Sequence, residues 1–218
     1  MEAITLNNIG LVYSSLGDQQ QALDYFNQAL PLSRQIGDKA SEAAALNNIG
    51  WAYSFLGDQQ QALDYYDQAL PLIHQVGDKA GEAATLNNIG RVYFDLDNQQ
   101  QALDYYNQAL YLNRQVGDKA GVAANLNNIG RVYFALNDQQ QALDYYNQAL
   151  SLRRQLGDKA GESGTRFNMA TVYIDLGELE EAEEHMIEVV KIYEAIDHPD
   201  LNFAQVILVQ IRALRKEP

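Results

Sequence analysis

Asparagine recurs in this chain at positions where its side chain could bind another molecule. The spacing is 40 residues, and the set is Asn7 and Asn8, Asn47 and Asn48, Asn87 and Asn88, Asn127 and Asn128, and a single Asn168. Asparagine is only a middling helix former, so helix propensity does not explain its return. Its amide group offers two donors and an acceptor, which suits holding the backbone of an extended peptide. These asparagines are therefore candidate peptide-binding residues.

Residues that differ between the copies follow the asparagines by one and two helical turns. They are Leu11, Trp51, Arg91, Arg131 and Thr171, then Ser14, Ser54, Phe94, Phe134 and Ile174, with Phe55 beside Ser54. Arginine pairs bidentately with carboxylates, and aromatic side chains supply apolar pockets. We add Trp51, Phe55, Arg91, Phe94, Arg131 and Phe134 to the candidate site. The alternative is that the asparagines only bridge adjacent helices and were copied by duplication.

Few other side chains suggest a catalytic or metal-binding site. The chain has no cysteine, which excludes disulfides, thiolate metal sites and cysteine nucleophiles. Glu181, His185 and Glu188 share a helical face, but weak ligands on an acidic helix are typical of a solvated surface. Ser163 lies in a Gly-Glu-Ser-Gly stretch without the strand-turn-helix context of a nucleophile elbow. We expect no enzymatic activity, no metal and no cofactor.

Charge and hydropathy restrict the partners. A formal net charge of −14 repels the phosphates of nucleic acids and anionic membranes. No stretch approaches the roughly 20 apolar residues that a membrane-spanning helix needs. The first five residues do not resemble a signal peptide. We therefore expect a cytoplasmic protein that binds neither nucleic acid nor membranes.

An internal repeat positions the candidate residues. The segment Leu-Asn-Asn-Ile-Gly begins at Leu6, Leu46, Leu86 and Leu126, with a degraded copy at Arg166. Turn signals of the Gly-Asp type divide each unit into halves. Glycine suits the left-handed residue that ends a helix, and the following Asp caps the next one. The pattern of turn and capping residues therefore predicts that each unit forms two helices of roughly 18 residues, joined by a two-residue turn.

Each unit carries a stripe of small and large residues that resembles the tetratricopeptide repeat signature. In the second unit it reads Leu46-x-x-Ile49-Gly50-x-x-Tyr53, then Ala62-x-x-x-Tyr66-x-x-Ala69. The long period is similar to that of repeats in kinesin light chains, in adaptors with GoLoco motifs and in large bacterial signalling proteins. The resemblance implies an all-α fold, a right-handed α-solenoid superhelix of helix-turn-helix repeats with a C-terminal capping helix. It also implies protein binding, with the asparagines lining the concave groove.

We expect one solenoid domain over residues 1–218. The repeats are predicted at about 1–37, 38–77, 78–117, 118–157 and 158–197, with a capping helix at about 199–216. The residues of that helix expected to pack, leaving one side polar, are Leu201, Ala204, Val206, Ile207, Ile211 and Leu214. The chain opens directly on a repeat, without an upstream cap. We expect a fragment of a longer protein, or a face that packs on another copy.

Three functions remain open at the level of sequence. The first is a scaffold or adaptor that binds a peptide segment of a partner protein, either acidic or ending in a free carboxylate. The second is a structural self-assembly module that stacks through the uncapped first repeat. The third is the sensor arm of a larger signalling protein whose enzyme lies outside these residues.

Overall fold

The computed structural model describes residues 1–215, which form eleven α-helices. Their bounds are α1 Glu2–Ser15, α2 Gln19–Ile36, α3 Lys39–Leu56, α4 Gln59–Val76, α5 Lys79–Asp95, α6 Gln99–Val116, α7 Lys119–Ala135, α8 Gln139–Leu156, α9 Lys159–Leu176, α10 Leu179–Ala195 and α11 Leu201–Leu214. Odd-numbered helices α1 to α9 are the first helices of their repeats, and α2 to α10 are the second. The expected all-α repeat architecture is confirmed. Lys216, placed at the end of the capping helix, lies outside the described residues.

The predicted turn chemistry is present at the helix ends. Gly37 ends α2 with a φ of 70°, in the left-handed region, and the Asp18 side chain accepts a hydrogen bond from the amide of Gln21 at the start of α2. Three turns use Asp97, Asn137 and Asp197 in place of glycine, with φ of 58°, 58° and 50°. Short polar residues tolerate this conformation because their side chains hydrogen-bond locally.

The helices group into two compact units, Met1–Val116 and Gly117–Pro218. The first unit contains α1 to α6, and the second contains α7 to α11. In each unit every first helix packs on the second helix of its own repeat. The expectation of a single solenoid domain stays a prediction.

Close helix crossing explains the glycine that recurs in the first helix of the first four repeats. Gly50 is buried, and a Cβ added there would lie 2.9 Å from the ring of Tyr66. Tyr66 itself is 0% exposed. The two helices are also joined by a stacked pair, Tyr53 and Tyr65, whose ring centroids are 5.5 Å apart. Glycine therefore occupies the crossing because a large aromatic ring fills the space opposite.

The last helix differs from its predicted pattern. Ala204 and Ile211 are buried as expected, and Leu208 is buried as well. Val206 and Leu214, expected to pack, are 55% and 48% exposed. The outer side of α11 therefore carries apolar side chains and is not wholly polar, because its packing on α10 selects a different stripe of the helix.

Candidate peptide-binding face

The asparagines of the first unit lie between neighbouring first helices. Helices α1, α3 and α5 contact one another in series. Asn48 Nδ2 donates to Asn7 Oδ1 at 3.0 Å, and Thr85 Oγ1 donates to Asn47 Oδ1 at 2.9 Å. We call the asparagine-bearing side of the first helices the first-helix face. In the first unit its side-chain amides join one repeat to the next.

The second unit repeats this arrangement between α7 and α9. Asn127 Oδ1 accepts hydrogen bonds from Asn168 Nδ2 and from Thr165 Oγ1, both at 3.2 Å. The bridging role, which the sequence left open as the alternative, is present in both units. Such a bridge uses one of the two amide hydrogens of the donating asparagine. It orients the amides of Asn48 and Asn168 and leaves them further hydrogen-bonding capacity.

The remaining asparagines differ in exposure. Asn8 is exposed, whereas Asn87, Asn88 and Asn128 are half-buried. Asn88 lines a cavity of the first unit. All the candidate asparagines therefore lie on first helices, but they are not equally accessible.

Arg91 is held on the first-helix face by the preceding repeat. Its guanidinium carbon lies 6.0 Å from the centroid of the Trp51 ring, and its Nη2 donates to Ser54 Oγ at 3.4 Å. Its Nε is buried and has no hydrogen-bond partner within the described residues. No carboxylate there lies within ion-pair distance of Arg91. The structure therefore holds a cation in place without neutralising it.

Two cavities open on this face in the first unit. The Trp51 pocket has a volume of about 380 Å³ and is lined by Leu11, Ser14, Ser15, Phe26, Asn47, Asn48, Trp51 and Asn88. The Ile73 pocket has the same volume and is lined by Ala40, Ala43, Ala44, Asn47, Asn48, Ile73, Val76, Asp78, Gly81, Ala84 and Thr85. Both combine apolar walls with asparagine amides. That mixture suits an extended peptide, whose backbone needs hydrogen bonds and whose side chains need apolar contact.

The predicted aromatic residues fall into two groups. Phe55 stacks on Trp51 with centroids 5.7 Å apart and is 59% exposed. Phe94 and Phe134 are half-buried, and Phe134 packs against the buried core of the second unit. Phe134 therefore contributes to packing as well as to the face.

A third cavity, which we call the Arg153 pocket, lies in the second unit and was missed by the sequence interpretation. Its volume is about 430 Å³, and it is lined by Asn127, Arg131, Arg153, Gly164, Phe167, Asn168, Tyr193, Asp200 and Phe203. Arg153 comes from a second helix, where no ligand contact was expected. Burial lowers the pKa of Arg153, and the nearby Asp158 carboxylate offsets part of that effect. A guanidinium is not deprotonated in proteins, so Arg153 stays charged.

A sequence signal for this pocket did exist. The four repeats are nearly identical, yet the equivalent position of the second helix carries Ser33, Ile73, Asn113 and Arg153 in turn. A position that differs between otherwise nearly identical repeats indicates that its surroundings differ as well. Gly164, where earlier copies have alanine, is the second such difference and widens the space beside Arg153.

A separate cluster of charges lies where α9 packs on α8. Glu162 is 4% exposed and accepts hydrogen bonds from Arg154, Lys159 and Arg166. Burial alone would raise the pKa of Glu162, but these three cations outweigh it and lower the pKa to about 2. Glu162 supplies the carboxylate that pairs with Arg166, which is itself buried at the position of a core leucine. It is a structural feature of the fifth repeat.

His185, one of the three residues considered as metal ligands, packs on an aromatic ring. It stacks on Tyr173 with centroids 5.5 Å apart. Burial, followed by the charges of Arg166 and Arg154, lowers the pKa of His185 to about 4. Its equivalents in earlier repeats are the stacked tyrosines. In residues 1–215 no group of three potential metal-ligating side chains converges, and no helix has both the length and the apolar character needed to cross a membrane.

The helix pairs and their recurring contacts define a repeat protein of the tetratricopeptide class. The tetratricopeptide repeat family model matches residues 1–75 and 81–155, and a second tetratricopeptide model matches residues 165–200. The chain belongs to the tetratricopeptide repeat family. Proteins of this family are generally scaffolds for protein interaction and typically have no enzymatic activity.

Solved structures resemble the chain closely in backbone. The quorum sensor NprR from B. thuringiensis, in its apo form, has a TM-score of 0.82 at 22% identity, over 99% of this chain and 60% of that one. NprR in complex with its cognate peptide NprX gives 0.74 at 24%, over 96% and 60%. BtubC (BKLC) from P. vanneervenii gives 0.76 at 23%, over 88% and 80%. At these identities the likeness establishes the fold alone. No curated protein sequence matches the chain.

Proposed function

We propose that the chain is a scaffold or adaptor module that binds an extended peptide segment of a partner protein along its first-helix face. The observation that carries this proposal is Arg91, held over Trp51 with a buried, unpartnered Nε. A desolvated cation gains free energy when a carboxylate or carbonyl oxygen pairs with it. A peptide ligand with acidic character supplies such an oxygen.

The surroundings of Arg91 supply the other contacts that a peptide requires. The amides of Asn48 and Asn88 face the Trp51 pocket, and the exposed ring of Phe55 lies beside it. Solved structures with this fold include NprR in complex with the peptide NprX and a Rap protein complexed with Competence and Sporulation Factor. These complexes support the choice of a peptide over other ligands.

A synthetic peptide array, followed by fluorescence anisotropy with the selected peptides, tests the proposal. We expect Arg91→Ala to weaken binding about tenfold, equivalent to about 1.4 kcal/mol, because a charge-assisted hydrogen bond is lost. Asn88→Ala should weaken it less. Arg114→Ala removes the same charge from an exposed site at the end of α6 and serves as the matched control. Equal affinity for wild type and the Arg91 variant, with the fold intact, would remove the basis of the proposal.

A further inference from the structure

Glu82, in the first turn of α5, differs in its ion pairs from the equivalent carboxylates of other repeats. Glu42 and Glu162 each pair with an arginine and a lysine. In the described part of the chain the one ion-pair partner of Glu82 is His74, at 3.6 Å, and a histidine is charged only if protonated. Lys79, which corresponds to the paired lysines, donates instead to a glutamine side chain at 3.2 Å. With 25% of its side chain exposed, Glu82 is a partly desolvated anion that gains free energy when a cation pairs with it.

This carboxylate lines a cavity of about 360 Å³, which we call the Glu82 pocket. The other lining residues are Leu86, Asn107, Gln108, Tyr111 and Leu112. The volume lies within the roughly 300–1,000 Å³ typical of ligand pockets. Glu82 and Arg91 are separated by about two and a half helical turns of α5, so they point to opposite sides of this helix. The Glu82 pocket is therefore a different site from the first-helix face.

Tyr111 gives the Glu82 pocket an aromatic wall. The equivalent positions of the other near-identical repeats carry Pro31, Pro71 and Ser151. The Tyr111 side chain is 62% exposed, so a ligand in the cavity can reach its ring. The face of an aromatic ring attracts a cation through its quadrupole. The aromatic wall and the carboxylate therefore favour the same kind of ligand.

The two amides of the pocket present their oxygens to a ligand. Asn107 Nδ2 donates to the backbone carbonyl of Leu103 at 2.8 Å, and Gln108 Nε2 donates to that of Asp104 at 3.2 Å. These bonds direct each amide nitrogen toward the backbone of α6, which leaves the amide oxygens as acceptors. A carboxylate, amide oxygens and a ring face together suit a planar cation with several N–H donors. The guanidinium group of arginine has this chemistry.

We propose that the Glu82 pocket binds an arginine side chain on the surface of a partner protein. The guanidinium pairs with Glu82 and stacks on Tyr111, and its methylene stem packs on Leu86 and Leu112. The net charge of −14 favours the approach of a basic surface. The proposal does not depend on peptide binding along the first-helix face, because the two sites lie on opposite sides of α5.

Methyl NMR of the whole chain, labelled with ¹³C at its leucine methyl groups, observes Leu86 and Leu112 in the pocket. The probe is acetyl-Ala-Arg-Ala amide, compared with the citrulline peptide, which keeps the shape without the charge, and with the lysine peptide. We expect the arginine peptide to shift both leucines saturably and to bind about tenfold more tightly than the citrulline peptide. The lysine peptide controls for general attraction to an acidic chain. It should bind more weakly than the arginine peptide, because an ammonium neither stacks as a plane nor pairs bidentately.

Three variants and a matched control locate the effect. Glu82→Gln should abolish the preference for arginine over citrulline. Tyr111→Ser, which installs the residue of the fourth repeat, should weaken binding of the arginine peptide severalfold. His74→Arg installs the residue of the first and fourth repeats and should block the pocket by giving Glu82 an internal cation. Asp64→Asn removes the same charge from an exposed position of α4 and should leave binding unchanged, and circular dichroism checks each fold.

Four results would each overturn the inference. They are equal affinity for the arginine and citrulline peptides, equal affinity for the arginine and lysine peptides, binding that persists in Glu82→Gln or His74→Arg, and no saturable shift with any probe. If array peptides bind through Arg91 while the arginine peptide leaves Leu112 unshifted, the proposed function stands and this inference fails. If the arginine peptide binds at Glu82 while no array peptide binds, the Glu82 pocket stands and the proposed function fails.

Discussion

Two repeats share the same helix pair but differ in their core side chains. They are the second repeat, formed by α3 and α4, and the fifth, formed by α9 and α10. Where their helices cross, the second repeat has Gly50 against Tyr66, and the fifth has Ala170 with Met186 at the equivalent positions. A flexible methionine adapts to an extra methyl group, whereas a rigid ring does not. The small and the large residue have therefore changed together.

A second pair of positions changes in the same way. Leu46 fills the core of the second repeat at 1% exposure, and the fifth repeat places Arg166 there at 6%. Glu42 and Glu162 are equivalent, and each is paired with an arginine and a lysine, but only Glu162 also accepts from a core arginine. The comparison teaches that tolerance of a substitution depends on its contact partner and not on the repeat motif alone.

Removing the carboxylate should have the largest effect, and only in the fifth repeat. Glu162→Gln leaves Arg166 buried without its partner, so we expect a loss of about 3–4 kcal/mol in the free energy of unfolding. Glu42→Gln should cost about 1 kcal/mol, because Arg34 and Lys39 are about half exposed and can be solvated. Urea denaturation measures both. Equal losses of stability for the two variants would show that solvent, and not Glu162, stabilises the charge of Arg166.

Lowering the pH should weaken the stabilisation that the Glu162 carboxylate provides. The pKa of Glu162 is lowered from 4.5 to about 2 in the folded chain, so its stabilisation is complete above pH 4.5 and is lost as the pH falls toward 2. The loss is about 2–3 kcal/mol. The difference in stability between wild type and Glu162→Gln should therefore shrink over this range. A difference that is independent of pH between 5 and 2 would contradict the network.

A substitution at the helix crossing should have a smaller effect on the free energy of unfolding. Gly50→Ala places a Cβ 2.9 Å from the Tyr66 ring, and we expect a loss of about 2 kcal/mol despite the better helix propensity of alanine. Adding Tyr66→Met, which copies the fifth repeat, should recover part of that loss. Thermal denaturation of the single and double variants checks this. No recovery would mean that alanine clashes with backbone, such as the Ala62 carbonyl.

The smallest change is expected when the fifth repeat is made like the second at its core. Arg166→Leu removes a buried ion pair and leaves Glu162 with Arg154 and Lys159, the arrangement that Glu42 already has. Stability should change by about 1 kcal/mol or less, because replacing a buried ion pair with an apolar residue is often neutral or stabilising. A loss above about 3 kcal/mol would show that Arg166 has a structural role beyond neutralisation. Urea denaturation again provides the measurement.

The helices and their turns were predictable because their causes are local. Glycine or a short polar residue ends each helix, an aspartate or asparagine caps most of the next ones, and the apolar period identifies the packed stripe. The crossing at Gly50 was also predictable, since small residues recur opposite large ones. The pattern of α11 was predicted less well. Val206 and Leu208 are both apolar, and only the packing on α10 decides which of them is buried.

The sequence by itself determined the repeat, its helix pairs, the family and the helix face on which the asparagines lie. The tertiary structure decided how those side chains are used. Asn127 and Asn168 are far apart in sequence and meet because consecutive first helices stack, which turns a row of candidate ligands into bridges. Arg153 and Phe203 line one cavity because α8, α9 and α11 converge there. Such contacts depend on the relative placement of helices, which local periodicity does not specify.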